Sequence, residues 1–142
     1  MRNFVDWVIE ERIVFANIEG DLSIEEWADL CSHILEHIES TSYHVHIIFD
    51  FLNMGKHPIN VVKIHEAAVW AGHERVESVN YLTHSALIKF LGSSVMSKAF
   101  VKRFDRVTTL EEAFSNIKDI DTSITQSLGE LQKATDALRQ KI

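Results

Sequence analysis

Residues His46–Glu66 read HIIFDFLNMGKHPINVVKIHE. Ile47, Ile48 and Phe49 are apolar in succession and run into a carboxylate at Asp50; Asn53, Gly55, Lys56, His57 and Pro58 then break the pattern. A strand apolar on both faces suits a central position in a parallel sheet, because such a sheet is covered on both sides. Its neighbour must then be reached by a crossover. The segment from Pro58 to Ala71 has the composition for a crossover helix, with proline in its first turn. This stretch therefore predicts the strand, loop and helix of an α/β domain.

The flanks agree. On the amino-terminal side, DLSIEEWADLCSHILEHIES (21–40) places Ile24, Trp27, Ala28, Cys31, Ile34, Leu35 and Ile38 on one helical stripe. Ser23 with Glu26 three residues later is a capping-box signature for its start. Before it, apolar and polar residues alternate over Phe4–Ile9 and Ile13–Ile18 around Glu11-Arg12, which predicts an antiparallel hairpin. On the carboxyl-terminal side, SVNYLTH (78–84) is a short strand, and Ser85 caps a helix expected to run to Phe104. FDRVTT (104–109) is a further strand. Thr109 and Glu112 open an amphipathic helix with Leu110, Ala113, Phe114 and Ile117 inward. The order is β-β-α-β-α-β-α-β-α. The expected class is α/β, with four parallel strands, one antiparallel edge strand and an extra C-terminal helix.

The expected division is an α/β domain over residues 1–121 and an amphipathic heptad helix over 122–142. In the tail, Ile124, Leu128, Leu131, Thr135, Leu138 and Ile142 are spaced 4, 3, 4, 3, 4, a heptad seam with one polar position at Thr135. The seam needs cover from its own domain, a second copy of the chain, or another protein. Assembly into a homodimer or onto a partner is the leading expectation.

A chain of 142 residues is the size of one domain with a real core. A formal charge of −7 argues against nucleic acid, which needs a basic face. The charge is unevenly spread: residues 1–40 hold ten acids against Arg2 and Arg12, whereas 85–106 hold Lys89, Lys98, Lys102, Arg103 and Arg106 against Asp105 alone. Cys31 is the single cysteine and falls on an apolar stripe, so an inert thiol in a reducing compartment is expected. MRNFVDWVIEE lacks the features of a signal peptide, and no apolar run approaches the roughly 20 residues of a membrane span. The expected location is cytoplasmic.

Three of these patterns together resemble the STAS-type superfamily, the fold of anti-sigma-factor antagonists. They are ANIEGDLSIEEW (16–27), VHIIFDF (45–51) and RFDRVTTLEEAFSNI (103–117). The resemblance is closest to the bacterial branch that also looks related to CRAL-TRIO lipid-transfer domains, covers roughly residues 4–120, and specifies a fold better than a function. In the antagonists, a Ser or Thr just after the Asp-ended strand is phosphorylated. Here no Ser or Thr occurs between His44 and Glu77, so the resemblance implies a member without that switch.

Ligands of open parallel sheets favour the crevice beyond the carboxyl ends of the strands. Asn53, Lys56, His57, His84, Ser85 and Lys89 are expected near that rim and are the candidate ligand-binding residues, suited to an anion. The plainer reading is that Asn53 and Gly55 form a turn, Ser85 caps and the lysines are solvated. The candidate partner-binding residues are Leu52 and Met54 in the loop and Ile124, Leu128, Leu131, Leu138 and Ile142 in the tail. The helix after Ser85 either packs on the core with one face in solvent or forms a lid, with Gly92-Ser93-Ser94 marking a bend or close packing. His33/His37 and His44/His46 have chelating spacings, yet no HExxH is present, and surface histidines are the expected outcome. No nucleophile with an activating base, Gly-rich phosphate loop or cofactor motif appears. The chain thus reads as a non-enzymatic, self-associating interaction module, with a carrier of a small-molecule or lipid-like amphiphile as the alternative.

Overall fold

The computed structural model describes residues 3–96 and 103–141, the side chains of 94–96 excepted. Strands β1 (Phe4–Ile9) and β2 (Ile13–Gly20) form the hairpin. Its turn is closed by the Arg12 N–H donating to the Ile9 carbonyl at 3.0 Å, with Glu11 at φ 66°. Helix α1 (Ile24–Glu39), β3 (Val45–Met54), α2 (Val61–Ala67), β4 (Val76–Leu82), α3 (Ala86–Met96), β5 (Arg103–Val107), α4 (Leu110–Ile120) and α5 (Leu128–Gln140) follow. The sheet order is β1-β2-β3-β4-β5, with β1 antiparallel to β2 and the remaining pairs parallel. This is the expected fold class.

Because strand order follows chain order, crossovers of one hand put α1, α2 and α3 on one face of the sheet. The packing shows this: Val14, Ala16, Ile18, Ile47, Phe49, Val79 and Tyr81 meet Trp27, Ile34, Ile64, Ile88 and Leu91. Alternate residues Ile13, Phe15, Ile48 and Leu82 meet Phe114, Ile117, Leu131 and Leu138 of α4 and α5. Six consecutive residues of β2, Ile13–Ile18, are buried for this reason.

Several boundaries differ from expectation. The crossover helix expected from Pro58 is α2, which starts at Val61; the Asn60 side chain takes the Lys63 N–H at 3.2 Å and caps it. It stops at Ala67 because the chain turns Trp70 beneath it, where the indole donates to Cys31 Sγ at 3.3 Å. Arg103 and Phe104 belong to a strand, pairing with Ser78 and Val79. Phe100, Lys98 and Lys102 lie outside the described residues, as does Ile142.

The tail is the largest correction. Residues 122–127 are not helical, and α5 begins after a capping box made by Ser127 and Glu130. The seam faces the protein's own sheet. Ile124, Leu131 and Leu138 are buried in the second-face core and Leu128 packs against it. Thr135, the polar position, is fully buried and satisfied locally, its hydroxyl donating to the Leu131 carbonyl at 2.9 Å. The Arg139 guanidinium pairs with Asp50, itself only 2% exposed. Ile124, Leu131 and Leu138 of this segment thus join the second-face core. Among the described residues no helix is long and apolar enough to cross a membrane.

Candidate functional site

The loop after β3 is built to approach β2. The Gly55 N–H donates to the Gly20 carbonyl at 2.8 Å, and the Lys56 N–H to the Asp21 carboxylate at 2.8 Å. A Cβ at Gly55 would run into that carboxylate, so a larger residue there would push Asp21 off the Lys56 N–H. This packing turns Phe51, Met54, His57 and Pro58 toward the first face of the sheet, where they close one side of a cavity of about 80 Å³.

Its floor is Phe49 and Phe51 of β3 with Val79 and Tyr81 of β4. Trp27 of α1 and Trp70 flank it, and Ile64 of α2 with Ile88, Leu91 and Gly92 of α3 form the roof. Phe49 and Phe51 stack with centroids 5.4 Å apart and planes 5° from parallel. The polar ends of the aromatic walls are satisfied elsewhere: Trp27 Nε1–H donates to the Ile64 carbonyl at 3.3 Å, and the Tyr81 hydroxyl to the Lys89 carbonyl at 3.5 Å. The cavity surface is therefore almost wholly apolar, as in sites that take apolar groups. Gly92 is present for close approach, since a Cβ there would lie 3.1 Å from the Tyr81 ring. The expected tight packing at Gly92-Ser93-Ser94 is of this kind.

Beside the cavity lies an open groove of about 350 Å³ that shares Leu22, His57 and Pro58 with it. Ser23, Lys56, Asn60 and Lys63 give it a polar and basic wall beside Ile24 and Ile59, and among the described residues no Asp or Glu lines it. The structure thus brings Lys56 and His57 together and adds Lys63. It leaves Asn53, His84, Ser85 and Lys89 exposed and outside both spaces. Ser85 caps α3 by taking the Ile88 N–H at 3.2 Å. Of the loop residues expected to meet a partner, Met54 lines the cavity and Leu52 packs on the second-face core. The groove is lined by residues that follow the carboxyl ends of β2 and β3, whereas the cavity lies on the first face of the sheet. Trp27, Phe49, Trp70 and Tyr81 escaped notice in the sequence as site residues because each also fits an ordinary core position. The available signal was aromatic residues at alternate positions of β3 opposite a glycine on the inward side of α3.

On the opposite face, His46 is fully buried, contrary to the expected surface histidines. Its Nε2 lies 2.8 Å from Asp121 Oδ2 and its Nδ1 2.7 Å from Ser78 Oγ. An ionised carboxylate only accepts, so Nε2–H donates to Asp121 and Nδ1 accepts from the Ser78 hydroxyl. Arg12 also donates to Asp121, at 2.9 Å. The order Ser–His–Asp is that of a nucleophilic triad, but Ser78 is 2% exposed and lines neither space. A nucleophile needs access to its substrate; here the network ties β3 and β4 to the end of α4.

Burial pushes the His46 pKa down, against the opposing pull of Asp121. Partial burial raises Asp121, but hydrogen bonds from Ser123, His46 and Arg12 outweigh it and hold the carboxyl well below the usual range. Both groups bind protons more readily unfolded than folded, so both lose stability in acid. The His46 contribution declines as pH falls below about 6.5 and the Asp121 contribution below about 4, the ordinary values of the two groups. Denaturant unfolding at pH 7.0 and 5.5 is expected to show a loss with a slope of at most about 1.4 kcal/mol per pH unit from His46. His46→Gln should flatten that interval; an unchanged pH dependence in the variant would refute the assignment. Cys31, buried and beside Trp70, has its thiol pushed up to about 12 by burial and is unreactive at neutral pH.

Among the described residues no group of three or more His, Cys, Asp or Glu is placed to hold a metal ion. Neither protein-family models nor curated sequences match this chain. Among solved structures it is similar to an uncharacterized protein of the DUF3478 family with a SpoIIAA-like fold from Shewanella loihica PV-4. The TM-score is 0.56 at 8% identity, over 80% of this chain and 89% of that one. Identity that low speaks to the fold alone, and the fold is similar to the SpoIIAA-like arrangement of that protein.

Proposed function

We propose that this protein is a non-enzymatic STAS-like binding module that holds a small apolar or amphiphilic anionic ligand between the sheet and helices α2 and α3. The observation that supports this most directly is the aromatic-walled cavity of about 80 Å³ opening beside a basic groove. Native cores rarely leave space of that size empty, since an unfilled void costs packing energy. The loop that carries the phosphorylated Ser or Thr in anti-sigma-factor antagonists here supplies Phe51, Met54, His57 and Pro58 to the cavity instead. The roof includes a short piece, α2 being seven residues between irregular segments, and short elements of this kind open locally at lower cost than long ones. The likeness to lipid-transfer domains noted in the sequence points the same way. Ile124, Leu131 and Leu138 of the tail pack within the chain, which favours the ligand reading over assembly through that seam.

Native mass spectrometry of the full-length protein from its expression host is expected to show reproducible extra mass that denaturation releases. Toluene should change the fluorescence of Trp27 and Trp70, which line the cavity. Val79→Phe, which fills the space from the floor, should abolish both signals and leave the unfolding midpoint within a few degrees. Bare mass together with no toluene response in the wild-type protein would refute the proposal.

A further inference from the structure

Resting on the reading of the cavity as a ligand site, the geometry points to a narrower ligand class: a small monocarboxylate with a compact apolar body, a single ring or a short branched chain, and not a long acyl chain. Size is the first argument. A cavity of about 150 Å³ is what accommodates benzene in a protein core, and this one is about 80 Å³. It encloses a short branched chain, or one edge of a ring whose other edge sits at the His57–Pro58 opening. A long acyl chain has no room without displacing the roof.

Shape is the second argument. The stacked Phe49–Phe51 pair forms one flat wall, and the Trp70 and Trp27 rings lie 5.3 and 5.8 Å from Phe49, centroid to centroid. These rings touch one another and form a continuous aromatic wall, against which a planar or branched group packs by edge and offset contacts.

Charge is the third. The groove that carries Lys56 and Lys63 beside Ile24 and Ile59 touches the cavity across Leu22, His57 and Pro58, so a head group at the lysines lies directly beyond the apolar body with no spacer between. The His57 ring is fixed at this junction because Nδ1–H donates to the Pro58 carbonyl at 2.8 Å. Lys56 and Lys63 line the groove without a carboxylate, in a chain whose net charge is −7. The nearby Asp21 is engaged by the Lys56 backbone N–H. A groove roomier than the cavity holds a carboxylate with its water, which ammonium groups bind through bridging solvent.

The test titrates the full-length protein with four probes, phenylacetate, 4-methylpentanoate, laurate and toluene, read by Trp fluorescence and calorimetry. Both small carboxylates are expected to bind. Lys56→Glu with Lys63→Glu should weaken them at least tenfold and leave toluene binding unchanged. Laurate binding with both small carboxylates silent would overturn the size argument while the cavity reading stands. Small carboxylates that bind equally to the double variant would overturn the head-group assignment. If no probe binds, toluene included, the cavity reading itself fails.

Discussion

Deletion of residues 123–142 is expected to abolish cooperative folding. Ile124, Leu131 and Leu138 are buried against the second face of the sheet, and removing each loses roughly 1.5–3 kcal/mol of apolar burial. The deletion also strips the cation from Asp50, which is 2% exposed. An uncompensated buried charge costs about 3–5 kcal/mol. Combined, these losses fall in the range of the whole stability of a domain, about 5–15 kcal/mol. Circular dichroism melts and one-dimensional NMR of the truncated chain should show a broad transition and collapsed dispersion. A sharp melt near that of the full chain, with reduced oligomeric mass, would mean instead that the tail serves assembly.

The second large effect isolates the ion pair. Arg139→Ala should destabilise the protein by about 3 kcal/mol, the low end for a broken buried pair, because the guanidinium keeps some contact with water at 29% exposure. Part of the loss belongs to the Phe15 ring, which the guanidinium covers at 5.3 Å. Asp50→Asn keeps the acceptor that takes the Leu52 N–H at 3.0 Å while removing the charge. Adding Asp50→Asn to Arg139→Ala should therefore recover much of the stability, giving a coupling energy above about 1.5 kcal/mol in a double-mutant cycle. Additive losses would show that the pair contributes through packing alone.

The sequence carried the class of fold because strand and helix periods alternate cleanly and because Ser23/Glu26 and Thr109 mark helix starts that the structure confirms. It was misread where a tertiary contact outweighed the local pattern. The expected extent of α2 ignored Trp70, whose burial beside Cys31 pulls the chain out of helical geometry. In the tail the 4-3-4 spacing was read through Ile124, although Ser127 and Glu130 already spelled a helix start three residues beyond it. Thr135 looked like a flaw in a seam; a hydroxyl returned to its own helix is compatible with full burial. Lys56 and His57 stood out as candidates because loop position and charge single them out, and both line the groove. The cavity walls were not, since they come from separate elements and only the packed sheet assembles them.

The order of the strands leaves two open rims, one along β1 and one along β5. An unprotected rim invites a second chain to add a strand, the usual beginning of aggregation. Here β1 breaks register between Trp7 and Ile9, which twists its outer hydrogen-bonding row out of line. Along β5, the short strand alternates Arg103, Asp105 and Arg106 around Phe104, so an approaching copy would have to strip water from several charges before any backbone bond could form. The sheet whose first face carries the apolar cavity is therefore expected to resist strand exchange at its sides, which keeps an interior rich in β-branched and aromatic residues from templating fibrils.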